Sequence, residues 1–404
     1  MSRYARPDAP EGQHASALEL FYDLVFVFAI TQVSHLLLTH LSWEGAGQSL
    51  IVLLVVWWAW NYTTWVTNVL DPDAVVVRLV LIGLMLGSLL MAIAIPEAFG
   101  DRALLFAGAY VAIQVGRHLF LTFVVHERGS ADREAAARIL LWFCASGVFW
   151  VAGGFADDTA RTVLWLIALT IDYSGPFLLF RIPGMRPMRP DDWRVGSEHF
   201  AERFQLFVII ALGESIVLTG ATTSELDLDL ARITAFGLAF LGTAALWWLY
   251  FNYVATILAR RLALAREDRT TMARDAYTYL HAAIIGGIVL SAVGDEIVIQ
   301  HPTEELSTAE VIAVAGGPAL YLLAMNVLRL RMTRSISRPR LAGLVACLLA
   351  GLLGAELSGL ALGGVLVAIL IAVIVAEQVS SARRRARGEP APHELLEARA
   401  ASGA

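Results

Sequence analysis

Apolar residues run along this chain in membrane-length stretches broken by short polar loops. They predict helices over 18–40, 47–69, 75–97, 103–126, 136–154 and 160–180, then over 200–220, 233–258, 275–299, 309–330, 340–356 and 359–379. A helix rises about 1.5 Å per residue and a bilayer core is about 30 Å thick, so runs of about 20 apolar residues are long enough to cross. The eleventh run is short and joined to the twelfth by Glu356-Leu357-Ser358-Gly359, which leaves a re-entrant hairpin open as an alternative. The pattern predicts an all-α polytopic membrane protein of about twelve transmembrane helices.

Arginine placement orients these helices, because cytoplasmic loops are rich in basic residues and outer loops are poor in them. Basic loops carry Arg128, Arg133 and Arg138; then Arg181, Arg186, Arg189 and Arg194; then Arg260, Arg261, Arg266 and Arg269; then Arg331, Arg334, Arg338 and Arg340. The loops between them are acidic or neutral, as at Asp157-Asp158, Glu225-Leu226-Asp227-Leu228-Asp229 and Glu304-Glu305. With Arg383, Arg384 and Arg385 closing the last helix, both termini are expected in the cytoplasm. Residues 1–17 read as a cytoplasmic tail with no cleavable leader, and 381–404 as a charged, disordered one.

The two sets of six runs carry parallel landmarks. Glu19-Leu20-Phe21 opens the first run and Glu202-Arg203-Phe204 the seventh; Trp57-Trp58 sits on the second and Trp247-Trp248 on the eighth. The third ends at Glu97 and the ninth at Glu296, while Cys144 in the fifth answers Cys347 in the eleventh. The offsets drift along the chain as loop insertions would make them. Six spans per half give both halves one orientation, so the expected architecture is two similar parallel halves, 18–196 and 197–380.

Composition changes the picture by exclusion. The 404 residues are 57% hydrophobic and 16% charged, far from a soluble domain. Every one of the 30 basic residues is Arg, which removes lysine Schiff-base and lysine-catalysed chemistry. Two cysteines in apolar runs give no disulfide framework or zinc spacing. His199 and Glu202 form only a fragment of a metal motif, and the basic loops hold no phosphate-binding glycine loop. No enzyme, metal or cofactor is therefore expected. The net charge of -6 with no basic patch argues against nucleic acid. The expected partners are the lipid bilayer and an unknown small-molecule or ion substrate, with the oligomeric state open.

Carboxylates inside apolar runs are the candidate chemistry, since a charge at the bilayer centre costs about 2.5 to 3.5 kcal/mol on insertion scales. Glu19 and Asp23 are four apart and share a helix face that Ser34 rejoins. Arg203 and Glu214, eleven apart, share a face of the seventh helix, with Glu214 about 16 Å deeper. Gly213 beside Glu214 suggests close approach of another helix, and Ser215 offers a hydroxyl. Glu19 and Asp23 serve equally as ion sites or as partners of Arg203 that fasten the two halves. Asp172 precedes Gly175-Pro176, so a broken helix is expected whose freed carbonyls coordinate a cation or proton carrier, or else a proline kink with Asp172 neutralised by Arg117 or by an arginine of another helix. His281 is a proton shuttle or a packed hydrogen-bonder. His35, Arg117-His118 and Asp295-Glu296 complete the buried polar set, most of them expected to be mutual partners. Trp57, Trp58, Trp60, Trp65, Trp247 and Trp248 read as an interfacial belt or as packing.

Two segments carry a resemblance. Glu19-Leu20-Phe21-Tyr22-Asp23-Leu24-Val25-Phe26-Val27-Phe28-Ala29-Ile30-Thr31-Gln32 and Glu202-Arg203-Phe204-Gln205-Leu206-Phe207-Val208-Ile209-Ile210-Ala211-Leu212-Gly213-Glu214-Ser215 resemble the two signature segments of the bacterial low temperature requirement protein A family. The Trp57-Trp58-Ala59-Trp60 and Trp247-Trp248-Leu249-Tyr250-Phe251 helix ends fit the same family. The resemblance implies a multi-pass inner-membrane protein linked to growth at low temperature, and marks Glu19, Asp23, Glu202 and Glu214 as important. The expected function is secondary transport coupled to protons or another cation, with Glu19, Asp23, Asp172, Glu202, Glu214 and His281 as proton or ion sites and Arg117 and Arg203 in structural ion pairs. The alternative is a non-transporting sensor or scaffold for envelope stress.

Overall fold

The computed structural model describes residues 4, 14–185, 188, 197–265 and 269–389. Arg186, Arg189, Arg194 and Arg266 of the basic loops, and the tail beyond 389, lie outside the described residues. The described chain is helical from end to end, in the segments the apolar runs predict. They are α1 Ala17–Thr39, α2 Trp43–Thr67, α3 Val75–Glu97, α4 Ala103–Val125, α5 Ala131–Phe155 and α6 Asp158–Ser174. Then come α7 Ser197–Glu225, α8 Leu230–Leu264, α9 Arg269–Gln300, α10 Thr308–Thr333, α11 Arg338–Glu356 and α12 Gly359–Ala386. Eleven of these are long and apolar enough to cross a membrane; α6, at 17 residues, is short of a full crossing by itself. The segment read as a possible re-entrant hairpin is one helix, α11. Residues 381–386, expected in the tail, are the end of α12.

The chain divides into two compact units, Met1–Arg203 and Phe204–Ala404, the cut falling inside α7 rather than ahead of it. In the first unit α3 packs on α4, α4 on α5, α5 on α6, and α2 on both α4 and α6. In the second, α9 packs on α10, α10 on α11, α11 on α12, and α8 on α12 and α9. The succession α3 on α4, α4 on α5, α5 on α6 and α2 on α6 is matched under a shift of six helices by α9 on α10, α10 on α11, α11 on α12 and α8 on α12.

Within the first unit α2 is the core helix. Every residue from Val55 to Thr64 is buried, including Trp57, Trp58 and Trp60, so these tryptophans are packing. Trp247 and Trp248 of α8 are 45% and 43% exposed and face outward, as a membrane-facing pair would. α1 shows the two-sidedness of a bundle helix in lipid. Glu19, Tyr22, Asp23, Phe26, Ile30 and Val33 recur at helical spacing on its buried face, while Leu20, Phe21, Leu24 and Phe28 are exposed on the other.

α9 and α10 are held at backbone contact. A Cβ on Gly317 would stand 2.4 Å from the Ser291 nitrogen, one on Gly287 2.8 Å from the Tyr321 nitrogen, and one on Gly294 2.8 Å from the Val314 Cα. Small residues at such crossings let helices gain dispersion contacts that lipid cannot otherwise be displaced to give.

Candidate functional site

The charge cluster is built where α1 begins. Ser16 caps the helix, its hydroxyl accepting the Glu19 N–H at 3.3 Å while the Glu19 carboxylate accepts the Ser16 N–H at 2.9 Å. This is a capping box, which satisfies two of the helix's orphan donors. One turn on, Asp23 Oδ1 accepts from Trp60 Nε1 of α2 at 2.7 Å and from Arg203 Nη2 of α7 at 2.5 Å. Arg203 Nη1 lies 3.1 Å from Glu19 Oε1, and His199 Nε2 lies 3.0 Å from the same oxygen. His199 Nδ1 faces Asn68 Oδ1 at 3.4 Å. Glu19, Asp23, Arg203, His199 and Trp60 are all buried. One guanidinium stands against two carboxylates, with the His199 ring beside them. The cluster ties the starts of α1 and α7 to α2.

A second network runs through α4. Tyr110, Gln114 and Arg117 sit at i, i+4 and i+7, one stripe of the helix, and all three are buried. Tyr110 donates its hydroxyl to Asp172 Oδ2 at 2.8 Å, and Trp150 Nε1 donates to the same oxygen at 3.0 Å. Gln114 Nε2 donates to the Tyr110 oxygen at 3.0 Å, and Arg117 donates to Gln114 Oε1. Arg117 Nη1 also donates to Thr63 Oγ1 at 2.9 Å, which accepts Tyr22 OH at 2.8 Å. The expected Arg117–Asp172 neutralisation is therefore corrected: among the described residues Asp172 pairs with no basic side chain, and Gln114 and Tyr110 stand between the two charges. Direct contact is impossible because Arg117 is two turns along α4 from the residue that reaches α6.

The break after Asp172 is also different from its expected form. Leu178, Phe180 and Gly175 N–H groups donate to the carbonyls of Ser174, Gly175 and Ile171, so those carbonyls are occupied rather than open. Leu179 and Phe180 hold φ of 50° and 47°, left-handed values that cost a side-chain-bearing residue about 1 to 2 kcal/mol each. A Cβ at Gly175 would lie 2.5 Å from the Phe180 ring, so this tight turn requires glycine there.

The remaining candidates separate. Glu202 points away from the cluster: its carboxylate, 31% exposed, accepts the Ala15 N–H at 2.9 Å and meets His14 Nδ1 at 3.1 Å. Glu214 is buried on the Arg203 face of α7, and Ser215 turns back to the Ala211 carbonyl at 3.3 Å. A Cβ on Gly213 would meet nothing within 4 Å, so the close helix approach expected there does not occur. His281 is packed. Its Nδ1 faces the Ala276 carbonyl at 2.8 Å and so carries the hydrogen, which makes Nε2 the acceptor for Tyr250 OH at 2.8 Å. Tyr277 stacks on the ring at 5.1 Å. His35 is exposed, not buried. Ser34 is buried on the α1 seam without a bond to either carboxylate. Glu296 accepts from Thr222 and Gln300 at 3.0 and 3.1 Å, whereas Asp295 does not join it.

Sequence reading passed over Tyr110, Trp150, Ser16 and Asn68, took Trp60 only as belt or packing, and met His199 only as a metal-motif fragment. Two signals were present: Ser16-x-x-Glu19 is a capping-box pattern, and Tyr110, Gln114 and Arg117 fall on one helical stripe.

Membrane-length helices in two compact units, with guanidinium and carboxylate groups bonded inside them, define a polytopic α-helical membrane protein. The chain belongs to the bacterial low temperature requirement A protein (LtrA) family, whose model matches residues 14–375. It is 37% identical over 322 residues to an uncharacterized protein of Rhizobium meliloti (strain 1021), covering 80% of this chain and 78% of that one. No solved structure matches.

Proposed function

We propose that the protein is a secondary transporter of the bacterial inner membrane, coupled to protons or another cation, with both termini in the cytoplasm. The observation that supports this reading is the separation of Asp172 from Arg117. Two buried arginines are by contrast paired directly with carboxylates, Arg203 with Asp23 and Arg340 with Glu377, at 2.5 and 2.9 Å. Asp172 instead rests on a hydroxyl and an indole, neutral donors that hold either form of the carboxyl. A carboxyl in such surroundings is a titrating group that can bind a cation from one side and release it to the other.

The test uses purified protein in vesicles that enclose a pH-sensitive dye, challenged with the low-molecular-weight fraction of a cell extract. Wild-type protein should move protons on addition of the extract. Asp172→Asn should abolish the movement, while Glu202→Gln, which changes only the half-exposed tether to Ala15, should keep it. Equal flux in wild type and Asp172→Asn would sink the assignment, and no flux from wild type would sink transport. A sensor or scaffold is the second reading, favoured by the bonded cluster of Glu19, Asp23, Arg203 and His199, which fastens helices.

A further inference from the structure

The second unit holds a carboxylate that its bonded networks leave out. Among the described residues Asp295 of α9 makes no hydrogen bond and no ion pair, although it lies inside a helix of membrane length. It lines a cavity of about 30 Å³ between α8, α9, α10 and α12, where one water needs about 10 to 15 Å³. Leu246 of α8, Val314 and Pro318 of α10 and Gly363 of α12 line the same space, and the lining contains no basic residue and no second acid.

Two further polar atoms belong to this place. Ser291, one turn before Asp295, also lines the cavity, its hydroxyl donating to the Gly287 carbonyl at 2.8 Å and keeping its lone pairs. Pro318 has no N–H for the carbonyl of Val314, four residues earlier, so that carbonyl loses its helical donor beside the cavity. A water here finds an acid, a hydroxyl and a carbonyl, enough partners to be held. Titratable groups on the surrounding helices are engaged elsewhere. Tyr321 of α10 donates to the Leu246 carbonyl at 2.7 Å, Glu296 is bonded by Thr222 and Gln300, and Arg340 is bonded by Glu377.

We infer that Asp295 is a proton-binding site within the membrane, its carboxyl exchanging a proton with water in this cavity. Among the described residues no counter-charge faces this carboxyl, so binding a proton removes the cost of an unpaired charge there. A metal cation fits poorly, because hard cations gather six or more oxygen ligands and the lining offers about three. The inference deepens the proton-coupled reading above and rests on it for its role, though proton binding itself requires no solute.

Dicyclohexylcarbodiimide, an apolar reagent that adds to protonated carboxyl groups, reads this state directly. Full-length protein in lipid nanodiscs is labelled across a pH series and the adduct is mapped by peptide mass spectrometry. The expected result is an adduct on Asp295 at neutral pH that is lost as the pH rises, is absent in Asp295→Asn, and is the same in sodium chloride as in choline chloride. The wild-type pH series stands even if that variant fails to fold. Absence of the adduct at every pH would overturn the site, and protection by sodium at constant pH would make it a metal-cation site instead. Labelled Asp295 without proton flux in vesicles would overturn transport and leave the site; flux without labelling would do the reverse.

Discussion

Arg203→Met should destabilise the protein more than any other single change in the charge cluster, by about 3 to 5 kcal/mol, because it leaves two buried carboxylates without their cation. Asp23 would keep the Trp60 indole, and Glu19 would keep His199 and its own cap. Glu19→Gln should cost much less. It removes the surplus negative charge, and glutamine can still accept the Ser16 N–H at the third position of a capping box. The triple variant Glu19→Gln, Asp23→Asn, Arg203→Met has no buried charge to strand and should recover much of the loss. Thermal unfolding in detergent, followed by the fraction that still elutes as a monodisperse species, gives this ordering. If Arg203→Met unfolds with wild type, the cluster does not fasten the helices.

The second large effect is steric. Gly317→Ala puts a Cβ 2.4 Å from the Ser291 nitrogen and 2.6 Å from its Cα, and backbone atoms cannot swing aside as a side chain can. α9 and α10 must separate along their length, costing about 1 to 3 kcal/mol or more. Gly213→Ala is the matched control, since nothing lies within 4 Å of the added carbon and alanine is the better helix former by about 1 kcal/mol. The same unfolding assay should show a large drop for Gly317→Ala and none for Gly213→Ala. Equal behaviour of the two would mean that α9 and α10 are not in backbone contact.

Spans were legible in the sequence because transfer into lipid is a local property: each run of about 20 apolar residues is helical whatever its neighbours do. That is why α1 to α12 begin and end close to the predicted limits, and why residues such as Glu19, Asp23, Asp172 and Arg203 could be named as buried charge from position alone. Helical period also placed Glu19 with Asp23 on one face. What the period could not supply was the residue on the facing helix. Asp172 was matched with Arg117 on charge, yet the level at which α6 crosses α4 puts Tyr110 opposite it, while Arg117, two turns along the same stripe, meets Thr63. Gly213 reads like a packing glycine and faces open space, while Gly317 meets a backbone, a difference set by which helix lies alongside. His35 and Ser34 are neighbours in an apolar run, and only the rotation of α1 makes one exposed and the other buried. The chain by itself determined that it crosses a membrane and which charges it buries, through the free energy of single segments in lipid. Tertiary structure alone decided which of those charges pair, which are kept apart and which are left facing a cavity, because pairing depends on the rotation and contact of helices distant in sequence.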